Sequence, residues 1–575
     1  MLKPVYITDF ERCQPKEALF KGEKKNSWRL CSYKARHIKG TMLIGEVGEN
    51  LPEIVYPLNL RGWYSIWLGI YKPDQGYCKF QIKLTKDEFF RDITISEYLY
   101  EGYQWIEEGL WKYADLTGQK IIISKPLQNR GFLAYIKLIP LSIDEVREYK
   151  EDEQQKETKI VGGVIDVGGM LSVSPPFNEN VIKRQIQPFI GSDFKKICWG
   201  VDNGLRYLYH TRIGEIFGQG QTKFCLPGAK NCADFMATSL RKGFDPLEVA
   251  VKYAHQNNLE LYADFRLSHA YPLGKFEDNF VDKFYKEHQH LRCISKDGNF
   301  VANLSHAYPE INTYKIAILK EIAENYEVDG IYLDFLRFPP YVLYEEPLIS
   351  GFEKEFGKDP RELSDYNLDW LYYRARYMTE FMRDLRNELR EIERKQHRKI
   401  ELVAQIDCKT VFSSDPECRR IDNNLILGID IKNWIKENLI DILAPSNSRV
   451  YTNISLDHFK SLLKGKGVKL WPVLGQTDLA LYPDDYKWND YFDRIPTKML
   501  PQLDPKRIMR HASDLYNQGT EGLFLWEAGG ISSNLVRWQI LRRLGHKKEL
   551  AAEFGTKIGR FDGIPSIKEK RVLFL

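Results

Sequence analysis

The chain divides into two regions by the period of its apolar positions. Up to about residue 140, short alternating or β-branched and aromatic runs are separated by turn residues; examples are HIKGTMLIGE, GWYSIWLGIY, YCKFQIKLT, QKIIISKP and GFLAYIKLIPL. A period of two, with no long 3.6-residue period, predicts an antiparallel β-sandwich over residues 1–141. Its expected role is to pack on the larger domain, with glycan binding as the alternative, because sandwiches host many functions. The charged, Gln-rich segment at 142–158 reads as a solvated helix or linker and as the domain boundary.

From Lys159 the pattern changes to strands alternating with helices, the signature of βα units and a parallel sheet. Eight strand candidates follow in order: KIVGGVIDVG, KKICWGVD, LELYADFRLS, DGIYLDFLRF, KIELVAQID, IDILAPS, VKLWPVLGQT and EGLFLWEAGG. Helical periodicity falls after them, from NENVIKRQIQPF through the long LDWLYYRARYMTEFMRDLRNELREIERKQ to SNLVRWQILRRLG. Eight repeats over residues 159–555 predict a (β/α)8 barrel with insertions, followed by a tail at 556–575. A doubly wound open sheet would have fewer repeats. Neither G-x-G-x-x-G nor G-x-x-x-x-G-K-[ST] occurs at a strand–helix junction, so no nucleotide cofactor is expected.

Barrel active sites lie at the C-terminal ends of the strands. Here those ends carry Asp166; Asp202; Arg266 and His269; Asp334 and Arg337; Gln405 and Asp407; Ser446 and Asn447; Gln476; and Trp526 with Glu527. Polar groups at the ends of buried strands must be solvated by a cavity or paired. Carboxylates and amides suit the hydroxyls of a sugar, and Trp526 can stack on a ring face. Asp166, Asp202, Arg266, His269, Arg337, Gln405, Asn447, Gln476 and Trp526 are therefore expected to bind substrate, although Asp202 could equally be structural.

Asp334 follows the apolar run GIYL, so it sits where the fourth strand opens into a loop. Arg337, three residues on, is expected to hold that carboxylate ionised or to bind a substrate oxygen. Glycoside hydrolysis needs two carboxyl groups. The candidates for the second are Asp407 on the adjacent strand, which suits a short retaining separation, and Glu527 across the barrel, which suits a wider inverting one.

The run HAYPEINTYKIAILKEIAENYEVDGIYLDFLRFPP resembles the glycoside-hydrolase-like barrels described as family 10-like, where a helix entered through Pro-Glu leads to D-G-[IL]-x-[LF]-D-[FY]-x-R-[FY]-P. LYADFRLSHAYP and LGIDIKNWIKENLIDILAPS are similar to the same group, and the resemblance covers most of residues 160–530. It implies a carbohydrate-active barrel behind an N-terminal β-sandwich, with Asp334, Arg337 and Arg266 as site residues. Many relatives carry an exported leader.

Composition narrows the picture further. Twelve Trp, 33 Tyr and 30 Phe make the chain 13% aromatic, which suits sugar-stacking platforms as well as a large core. Net charge is +4, from 83 basic and 79 acidic residues, so there is no basic excess to recommend nucleic acid as a partner. No apolar run approaches the length needed to span a membrane. Nine scattered cysteines include no C-x-x-C pair and read as free thiols of a reducing compartment. The start, MLKPVYITDFERCQ, has no basic-then-apolar leader pattern; this predicts a cytoplasmic location, or a secreted or periplasmic one where a leader has been removed. Oligomeric state is not legible.

The leading expectation is a glycoside hydrolase that uses neither metal nor organic cofactor. Two others stand beside it: a non-catalytic glycan-binding barrel, and a metal-dependent polysaccharide deacetylase in which His269, His288, His290 or His306 would join Asp334. The last lacks any compact ligand spacing.

Overall fold

The computed structural model describes residues 3–35, 38–72, 78–94, 105–173, 175–268, 277–337, 339–408, 410–412, 420–446, 456–474, 505–555 and 573–574. The predicted barrel is present. Eight parallel strands close on themselves: β1 (Val161–Ile165), β2 (Phe194–Gly200), β3 (Glu260–Arg266), β4 (Gly330–Asp334), β5 (Glu401–Asp407), β6 (Ile442–Ser446), β7 (Lys469–Leu470 and Val473–Leu474) and β8 (Leu523–Leu525). Each pairs with the next, and β8 returns to β1.

Strand alternation sorts the side chains into two sets. Val164, Cys198, Tyr262, Tyr332, Val403, Ile442, Ala444, Val473 and Phe524 form one buried cluster, the barrel interior. The alternate set, including Ile165, Ile197, Leu261, Ile331, Leu333 and Leu402, packs outward among the helices. Two interior positions near the start of their strands are glycines for lack of room. A Cβ on Gly162 would lie 2.3 Å from the Phe524 ring, and one on Gly330 2.4 Å from the Tyr262 ring. At this end, Lys196 donates to Glu260 at 2.7 Å and to Glu401 at 3.0 Å, and also to the Tyr262 hydroxyl. Lys469 donates to Glu401 at 2.8 Å. The interior charges at the bottom of the barrel are thus paired with one another, as buried charges must be.

Most predicted helices are present, among them Pro246–Gln256, Pro309–Asn325, Leu368–Gln396 and Leu535–Leu541. Helices at Pro227–Lys242 and Glu346–Phe356 escape the periodicity reading. The first buries small residues (Ala229, Cys232, Ala233, Ser239) beside Phe235 and Met236, so its apolar stripe is faint in the sequence.

The N-terminal strands form three sheets rather than two, largely antiparallel and sharing one core. The first contains Trp63–Lys72 and Trp105–Asp115, the second Lys79–Leu84 and Lys120–Ser124, the third Trp28–Lys34 and Lys39–Gly45. The charged segment is a helix, Ile143–Gln154, started by a capping box between Ser142 and Glu145.

This region is bonded to the barrel. Arg91 donates to the Ser532 carbonyl, and the Thr94 N–H to that of Ser533 at 2.9 Å. Leu535 joins the N-terminal core, while Phe89 joins the barrel core against Tyr253. No helix among the described residues is long and apolar enough to cross a membrane. The eight described cysteines are unbridged.

Candidate functional site

Alternation carries the interior parity to the strand tops. From Val164, Cys198, Tyr262, Tyr332, Val403 and Phe524 it leads to Asp166, Asp202, Asp264 with Arg266, Asp334, Gln405 with Asp407, and Trp526. Seven of the twelve sequence candidates therefore face one mouth because they share a parity. Register fixes their heights: Arg266 pairs with Asp334 and Asp334 with Gln405, while Asp264 pairs with Tyr332 one step deeper.

Arg266 is the hub. Its guanidinium lies 3.4 Å from Asp166, and its backbone N–H donates to Asp202 at 3.1 Å. Asp166, Asp264, Asp202 and Asp334 together raise the affinity of Arg266 for its proton, against the effect of burial. Burial also works against the charge on Asp166, yet Arg266 and then Arg337 outweigh it and hold that carboxyl below the usual range.

Asp334 is fully buried. Its Oδ1 accepts from the backbone N–H groups of Leu336 (2.8 Å) and Arg337 (3.2 Å), a local turn that fixes the carboxyl at the strand end. Its Oδ2 has no partner among the described residues. Burial pushes the carboxyl up, and the Leu336 N–H, Arg266 and Arg337 only partly oppose it. Asp202 is pushed up to about 7 by burial.

Glu527 stands out by its backbone. It follows β8 at φ +52°, ψ +34°, in the left-handed region, at the start of the helix Ala528–Ser532. That kink breaks the strand alternation, so Glu527 joins Trp526 at the mouth. Burial raises its carboxyl, the charge of Asp166 adds to this, and Arg337 and Arg266 oppose it. Trp526 packs against the apolar interior.

Asp407 is differently placed. It pairs with Ser446 on β6, its Oδ2 accepts from Asn423 Nδ2 at 2.8 Å, and Asn424 brackets its backbone N–H and carbonyl. Gln405 accepts from the Tyr332 hydroxyl at 2.8 Å. His269, Asn447 and Gln476 lie outside the described residues.

The other histidines considered for a metal are engaged elsewhere. Buried His306 shares a hydrogen bond with Asn312 at 2.7 Å and is pushed down to about 3 by burial. His288 stacks on Phe284 at 4.1 Å and lies near His290.

The sequence reading missed Asp264, which is fully buried on β3 beside Arg266 and Asp334. Attention to strand ends passed over it, yet its signal was present: an Asp two residues before Arg266, hence on the same face, between the apolar Ala263 and Phe265.

Residues 229–461 match the family model of glycosyl hydrolase-like 10, a stretch running from the helix Pro227–Lys242 through β3 to β6. The glycosyl hydrolase YngK of Bacillus subtilis (strain 168) is 22% identical over 281 residues, covering 47% of this chain and 49% of that protein. The chain thus matches about half the length of this curated relative. Among solved structures, α-L-fucosidase isoenzyme 2 from Paenibacillus thiaminolyticus is similar with a TM-score of 0.41 and 10% identity, over 69% of this chain and 50% of that one. A polyextremophilic β-galactosidase from the haloarchaeon Halorubrum lacusprofundi gives 0.39 and 10%, over 65% and 56%.

Proposed function

Residues 229–461 match the glycosyl hydrolase-like 10 family model, and from that premise we propose that the chain hydrolyses a glycosidic bond with Asp334 and Glu527 as its two carboxyl groups. The observation that carries the pairing is shared electrostatics. Arg266 and Arg337 act on Asp334 and on Glu527 alike, so the two carboxyls face one pair of guanidinium groups from opposite sides of the barrel. Asp407 is absent from both sets of neighbours and is held by Asn423.

Chemistry distributes the roles. Asp334, with one oxygen fixed by two backbone N–H groups and the other unbonded, is oriented to serve as nucleophile or base. Glu527, whose carboxyl burial and the nearby Asp166 charge push up, is the donor to the leaving oxygen. The transition state carries positive charge on the sugar ring. Asp166, held ionised by Arg266, supplies a fixed negative charge beside it.

The test is a hydrolysis screen of the full chain against aryl glycosides and neutral oligosaccharides, with products read by mass spectrometry. Cleavage that falls by roughly 10³-fold or more in Asp334→Asn, with the fold retained, is expected for an essential carboxylate. Undiminished cleavage in that variant, or none by the native chain, overturns the reading.

A further inference from the structure

Asp264 has a carboxyl for which the fold provides no use. It is 0% exposed, and neither of its oxygens has a hydrogen-bond partner among the described residues. The neighbouring acids differ: Asp334 accepts two backbone N–H groups, Asp202 accepts that of Arg266, and Asp166 meets the Arg266 guanidinium. A buried carboxyl without partners is unfavourable, and an apolar side chain of the same size would fill the space at lower free energy. Folding therefore does not explain an aspartate here.

Its position gives the alternative. Asp264 shares the inward parity of Tyr262 and Arg266, and it lies beside Tyr332 on one neighbouring strand and Gly200 on the other. Gly200 contributes no side chain at that level. Asp264 thus lies one step below the Arg266–Asp334 pair, at the base of the mouth.

We propose that Asp264 is the floor of the sugar-binding site, that its carboxyl takes the hydroxyl groups of a ring entering the barrel, and that the site accepts neutral or amino sugars and rejects acidic ones. This rests on the reading of the barrel mouth as a carbohydrate site, not on hydrolysis itself. A carboxyl can bond two adjacent hydroxyls at once, and a sugar buried against it satisfies both oxygens.

The discrimination follows from charge. Asp166, Asp202, Asp264, Asp334, Asp407 and Glu527 gather at the strand ends, against Arg266, Arg337 and the buried Lys315, which lies near Asp202. Arg266 is already engaged by Asp166. A uronate would bury a further carboxylate where Arg266 is already committed and the site's own carboxyls outnumber its cations, so the cost of stripping it of water would go uncompensated.

The experiment is calorimetric titration of the full chain at pH 7 with S-linked, non-hydrolysable 4-nitrophenyl thioglycosides of glucose, galactose, mannose, fucose, N-acetylglucosamine and glucuronic acid. At least one neutral thioglycoside should bind about tenfold or more tightly than the glucuronide. Asp264→Asn should weaken that binding by about tenfold or more, because the amide replaces one acceptor with a donor.

Equal or tighter binding of the glucuronide, no binding by any thioglycoside, or unchanged binding in Asp264→Asn overturns the inference. If that variant does not fold, the preference of the native chain decides alone. Binding as described without any hydrolysis would refute the hydrolase reading and leave this inference standing.

Discussion

Arg266 and Asp334 are register partners on adjacent strands, and the same arginine reaches across to Asp166 at 3.4 Å. One cation thus organises carboxyls from four neighbouring barrel strands and their loops. Its pull outweighs burial at Asp166, whose carboxyl lies below the usual range, and only partly offsets burial at Asp334, whose carboxyl is pushed up.

The competing partners of Asp334 can be separated by leaving group. Glu527→Gln should reduce turnover of poor leaving groups by about 10²–10⁴-fold and that of dinitrophenyl glycosides far less, because only the former need a proton. Asp407→Asn should keep turnover within about tenfold of native, since its contact with Asn423 positions a loop. Paired steady-state assays on the two substrate types check both outcomes. The reverse pattern would give Asp407 the acid role.

Asp202 should give stability a pH signature. Its folded carboxyl titrates near 7 instead of in the usual range near 4, so the folded state holds a proton that the unfolded state has lost. Stability from this group is full below about pH 4 and declines up to about pH 7. Asp202→Asn should flatten that decline and raise the thermal midpoint at pH 8, with little effect at pH 4. Melting curves across this range check it.

His546 should produce a second slope at higher pH. It donates to Asp152 at 2.9 Å and to Asp193 at 2.6 Å, joining the helix Ile143–Gln154 to the barrel. Burial disfavours the imidazolium, but hydrogen bonds to the two aspartates outweigh it and bring the group up to about 9. The folded value exceeds the unfolded one, so this stabilisation is full below about pH 6.5 and is lost as pH rises through about 9. Its size is on the order of 3 kcal/mol. His546→Gln should remove the slope in melting curves between pH 7 and 9.5.

Gly109 tests the fit between the N-terminal strands and the barrel. A Cβ there would lie 2.6 Å from the Leu535 Cβ, on a helix of the barrel region. Gly109→Val should destabilise the protein by about 1–3 kcal/mol through overpacking. Thermal unfolding would show it, and an unchanged midpoint would mean that this contact yields readily.

Much of this architecture was legible in the sequence. The eight strands announced themselves as β-branched runs of the right length, and their last polar residues marked the mouth. What stayed hidden depends on parity and on three-dimensional neighbours. Asp264 looks like an interruption of LYADFR until Tyr262 is known to face inward. Arg337 acts on Asp334 in the direction their spacing suggests, but spacing along the chain says nothing about burial, which dominates here. The proposed preference for Glu527 over Asp407 rests on Asn423 and on one backbone angle, neither of which has a periodic signature.

That angle has a consequence of its own. A left-handed conformation costs a side-chain-bearing residue roughly 1–2 kcal/mol, and glycine or asparagine would adopt it more readily at position 527. A stability-based redesign of the chain would therefore replace Glu527 early. Substitutions there should be tolerated or even favoured by folding while the proposed activity is lost, so a screen for thermostable variants would select against the proposed acid at this residue.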